Sequence, residues 1–117
     1  MRYLFALIAL FSVTLSAADL SGAWKATFLM PNGKSEGTLT LKSDGEKLTG
    51  TLKGPHGEFP IRDGSSEGLD VFFNVIVNRD GTDVKMTYRG HLFTNDEIQF
   101  KIEVGEQSFD MIAKKVS

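Results

Sequence analysis

Two histidines, His56 in "GPHGE" and His91 in "YRGHL", are the side chains best suited to proton transfer near neutral pH. A Ser-His-acid triad would need one of them beside a nucleophile and an orienting carboxylate. Neither has a Gly-x-Ser-x-Gly elbow near it. A zinc site would need several His or Cys at close spacing. These two lie far apart in the chain, and it contains no cysteine. Haem can hang on one imidazole, and His91 is the residue such a role would fall to. It follows Gly90 on the polar parity of its strand, which directs it away from an interior. Asp44, Asp63, Asp80, Asp83 and Asp96 sit in turn-like stretches without the Asp-x-Asp-x-Asp-Gly spacing of a calcium loop. Asp and Asn favour such places because their side chains bond the nearby backbone. No catalytic residue, metal or cofactor is therefore expected.

The elements around these residues read as strands throughout. Turn signals recur at short intervals: "PNGK", "SDGE", "GPHGE", "RDGSSEG", "NRDGT", "TNDE" and "VGEQ". Between them lie eight runs with a period of two. They are "GAWKATFLM", "GTLTLK", "KLTGTLK", "EFPIRD", "LDVFFNVIVN", "TDVKMTYRGHLF", "EIQFKIEV" and "SFDMIAKKV". Alternation over short runs, separated by Gly with Asp or Asn, is a strand-and-hairpin pattern. Short connections favour antiparallel neighbours. Eight strands suffice to close an up-and-down barrel. The expectation is an all-β fold with a single antiparallel up-and-down barrel of about eight short strands.

Ahead of the strands stands "MRYLFALIALFSVTLSAAD". Arg2 gives a positive start, Leu4 to Leu15 an apolar stretch, and Ser16 with Ala18 the small residues of a cleavage site. This is a secretory signal pattern over residues 1–18, leaving a barrel domain at 19–117. The apolar run is shorter than the roughly 20 residues of a membrane span, so no stable anchor is expected after cleavage. The product would be secreted or periplasmic. Without cysteine it has no disulfide, and its core alone must hold it. Thirteen basic against fifteen acidic residues leave no basic patch for nucleic acid.

Gly22 and Trp24, at the mouth of the first run, resemble the opening Gly-x-Trp of lipocalin-like (calycin) barrels. That resemblance implies a Trp closing one barrel end under a basic residue from the last strand. Lys115 stands where those barrels usually carry Arg. It shares the inward parity of Phe109, Met111 and Ala113, and a closed meander brings it beside Trp24. A cation–π contact there is worth about 0.5–2 kcal/mol. "SGAWKATF", "LTLKSDGEKLTGTL", "IRDGSSEG", "YRGHL" and "FDMIAKKV" are also similar to a group of small secreted bacterial barrel domains without an established activity.

Inside such a barrel, the inward list includes Trp24, Phe28, Phe59, Leu69, Phe73, Tyr88, Phe100 and Phe109. So many rings on short strands predict a mostly filled interior. At most a shallow apolar pocket is expected, lined by Phe28, Phe73, Tyr88 and Phe100. It would lie against the small residues Ala26, Gly50, Gly90 and Ala113, toward the end opposite Trp24. Phe72 and Ile76 fall on the outward parity of an otherwise apolar strand. They offer a surface for self-association or a protein partner, or are ordinary scattered surface residues. The function expected is that of an exported, non-enzymatic binding or accessory domain. It would take a small apolar ligand inside or a protein or glycan surface outside. A barrel-pocket enzyme and a purely structural envelope protein are the alternatives.

Overall fold

The computed structural model describes residues 20–55 and 57–116; residues 1–18, expected to be a signal segment, and His56 lie outside them. Nine strands follow in order: β1 (Gly22–Met30), β2 (Gly33–Asp44), β3 (Lys47–Gly54), β4 (Gly57–Pro60), β5 (Arg62–Glu67), β6 (Asp70–Arg79), β7 (Thr82–Thr94), β8 (Glu97–Val104) and β9 (Gln107–Lys115). All pairings are antiparallel. Eight strands close the ring β1-β2-β3-β5-β6-β7-β8-β9, and the short β4 is an extra strand on β3. β1 and β9 seal the barrel, with Trp24 opposite Lys115 and Phe28 opposite Met111.

The alternating pattern explains the pairing. Each strand turns its apolar parity to one face, so a single core runs along the barrel axis. Trp24, Ala26, Leu39, Phe73, Ile98, Ile102, Met111 and Ala113 are buried in it. The β6–β7 connection shows how local chemistry sets register. Asp80 and Gly81 both take positive φ, 53° and 85°. That is the two-residue hairpin geometry whose twist matches the strands it joins. Asn78 reinforces the turn: its Oδ1 accepts from the Gly81 N–H, and its Nδ2 donates to Asp83.

Three expectations need correction. Residues 62–67, whose Asp-Gly reads as a turn, form β5 instead. The register shifts between Arg62 and Ser65 while Asp63 takes φ 54°, so the Asp-Gly is a bulge inside a strand. The Asp63 carboxylate accepts from Asn74, whose own oxygen accepts from Thr87. This polar ladder ties the bulge to β6 and β7 and satisfies the buried Asn74. Leu69 is not inward: it sits in the β5–β6 turn, 53% exposed. Its carbonyl accepts from Leu92 N–H, which leaves the side chain outside the ring. The strands are also not uniformly short, with β2 and β7 reaching 12 and 13 residues.

Candidate functional site

The two ends of the barrel differ. At the end holding the start of β1, Trp24 is fully buried and its Nε1–H donates to the Leu20 carbonyl at 3.0 Å. Leu20 is also buried. Lys115 Nζ stands 5.6 Å from the Trp24 ring centroid. The chain closes over itself here, with Lys115 N–H on the Asp96 carbonyl and Val116 N–H on the Ala23 carbonyl. Gly22 begins β1 at the same end, with φ 134°, a region that suits glycine.

A layer of rings fills the middle. Phe73 stacks on Tyr88 with centroids 4.7 Å apart, and Phe100 meets Phe73 edge-on at 5.5 Å. Both are geometries that aromatic pairs prefer. The Phe100 ring lies over Gly90, where an added Cβ would come within 2.6 Å of it. Gly50 likewise leaves no hole. Its φ of 148° bends β3 so that a Cβ would strike the Thr40 carbonyl. The small inward residues are thus used for close approach rather than for space.

Above this layer the barrel is hollow. A cavity of about 670 Å³ opens at the end opposite Trp24. Its walls include Phe28, Leu52, Val75, Val77, Met86 and Ile102, with Tyr88 among the lining residues and Arg79 at the rim. The mostly filled interior expected from the ring count is therefore overturned for this half. The reason lies in where volume falls along the axis. Trp24, Phe73 and Phe100 belong to the lower rungs. On the upper rungs of β2 and β3, the small Ser35 and Gly54 line the cavity on the inward parity. The extra length of β2 and β7 then raises a wall with little to fill it.

Of the four pocket residues read from sequence, Phe28 and Tyr88 line the cavity, while Phe73 and Phe100 support it from the buried layer. Sequence reading missed Arg79. The run "LDVFFNVIVN" stops at Asn78, yet Arg79 continues the parity of Val75 and Val77 and pairs with Thr82. Burial pushes the Tyr88 hydroxyl pKa up, so it stays protonated and able to donate.

Outside the barrel, Phe72 and Ile76 are half-buried, and the Arg89 guanidinium covers the Phe72 ring at 5.3 Å. The large apolar side chains that stand most exposed are Leu69, Phe93 and Val116, all at the closed end. Phe93 owes its position to the register shift between Leu92 and Thr94. His91 lies on the surface, its Nδ1 3.2 Å from Asp70. Among the described residues no three His, Asp or Glu gather as a metal site would require.

These features define a closed antiparallel β-barrel with one plugged end, a ring-packed waist and one hollow end. No protein-family model matches the chain, and no curated protein matches it. Among solved structures it is similar to a redesigned beta barrel, with TM-score 0.67 and 13% identity, covering 84% of this chain and 92% of that one. That likeness concerns the fold alone.

Proposed function

We propose that this chain is an exported, non-enzymatic binding domain that takes a small apolar molecule into the hollow end of its barrel. The cavity carries the reading. Its volume falls within the roughly 300–1,000 Å³ of small-molecule sites, and its walls are mainly apolar with few polar groups. The lipocalin-like reading draws support from Gly22, Trp24 and Lys115, which sit together at the plugged end. The signal-like residues 1–18 support export. Acid–base catalysis would need a matched pair facing the ligand. The ionisable residues lining the cavity are Arg79 and Tyr88, and burial keeps the Tyr88 hydroxyl protonated.

Titration with a neutral, environment-sensitive naphthylamine dye tests this. Saturable, one-site enhancement is expected, and it should be lost in Val75→Trp, which fills the cavity from its wall. Enhancement that rises linearly without saturation, or survives Val75→Trp in a folded protein, would overturn the reading.

A further inference from the structure

The charge on the inward face is one-sided. The strand registers put two charged residues on the inward parity among the described residues, Lys115 at the plugged end and Arg79 at the open rim. Every other inward position on the nine strands is apolar or neutral. No described carboxylate forms an ion pair with Arg79, whereas Lys25 and Arg89 on the outer face each have one. The nearby Asn78 and Asp83 are occupied with each other, so the turn holds the backbone at Arg79 without using its guanidinium. From Phe73 at the floor to Arg79 is six residues, about 20 Å along the strand. At a tilt of about 40° this is about 15 Å along the barrel axis.

We infer that the ligand is an amphiphile: an apolar body lies on Val75, Met86 and Ile102, and a compact oxyanion head, carboxylate or phosphate, meets Arg79 at the rim. This rests on the cavity being a ligand site. The reverse orientation is disfavoured. An anionic head at the floor would be stripped of water against Phe73 and Phe100, with one neutral hydroxyl to bond it. At the rim the head keeps part of its hydration and gains a planar, two-pronged donor whose shape matches an oxyanion. Because Arg79 is exposed, water screens the attraction, and the preference should be about tenfold rather than a thousandfold.

The test is displacement of the neutral naphthylamine dye by decanoate, decyl phosphate and decanol, in the parent protein and in Arg79→Gln. At low salt, one or both oxyanions should displace the dye at about tenfold lower concentration than decanol, and added salt should narrow the gap. Which of the two does so identifies the head. In Arg79→Gln the oxyanions should displace the dye at the same concentration as decanol, the comparison being made within the variant. Equal displacement by all three in the parent protein, or an oxyanion preference that survives Arg79→Gln, would overturn the inference and leave the apolar pocket standing. A dye that never binds saturably would instead remove the pocket reading on which it rests.

Discussion

Replacing Gly90 by alanine adds one methyl group to the ring-packed waist. The new Cβ would lie 2.6 Å from two carbons of the Phe100 ring and 3.0 Å from Ile98 Cγ2. Carbon contacts are comfortable at about 3.5–4.0 Å, so the ring must move by about 1 Å. Phe73 and Tyr88 resist that movement, with their centroids 5.5 and 6.3 Å from that of Phe100. Overpacking of this kind costs about 1–3 kcal/mol. Alanine also restricts the unfolded chain, and Gly90 is not among the residues with positive φ, so about 0.4–1 kcal/mol returns. The net expectation is a loss of about 1–2 kcal/mol. At about 4–8 °C per kcal/mol for a domain of this size, Tm should fall by about 4–16 °C. Urea and thermal unfolding followed by circular dichroism would measure it. In a Phe100→Leu background the same alanine should cost at least about 1 kcal/mol less, because the clashing ring is gone. A Gly90→Ala protein as stable as its parent, or an equal cost in both backgrounds, would refute the account of the waist.

Two further outcomes follow from the same packing. Trp24→Ala removes a fully buried indole and its bond to Leu20, and should cost about 3–5 kcal/mol in urea unfolding; unchanged stability would show that Trp24 is no plug. Tyr88 is protonated in the fold beyond its usual range, so its contribution is intact below the ordinary tyrosine pKa of about 10 and drains away as pH rises above it. Unfolding free energy should therefore drop between pH 9 and 11 more steeply in the parent than in Tyr88→Phe, and parallel pH profiles would contradict this.

Much of the barrel was legible in the alternation alone. A period of two assigns each side chain to a face, and short turns force antiparallel neighbours. Closure by the first and last strands then sets Lys115 against Trp24 without knowledge of any coordinate. Parity, however, says which way a residue points and not how high it sits or what stands opposite. Counting rings suggested a full interior. The fold instead stacks Phe73, Tyr88 and Phe100 on neighbouring rungs and lines the upper wall with small residues such as Ser35 and Gly54. Asp63-Gly64 carries the same local chemistry as a hairpin turn, and only its pairing with β6 makes it a bulge. Arg79 was hidden by a boundary: "NRDG" reads as a turn from Asn78 onward, yet the two-residue hairpin at Asp80 and Gly81 leaves Arg79 in the strand. Local sequence determined faces and turns because those depend on the nearest few residues. The cavity and the inward-facing Arg79 at its rim were decided by register, which depends on strands distant in the chain.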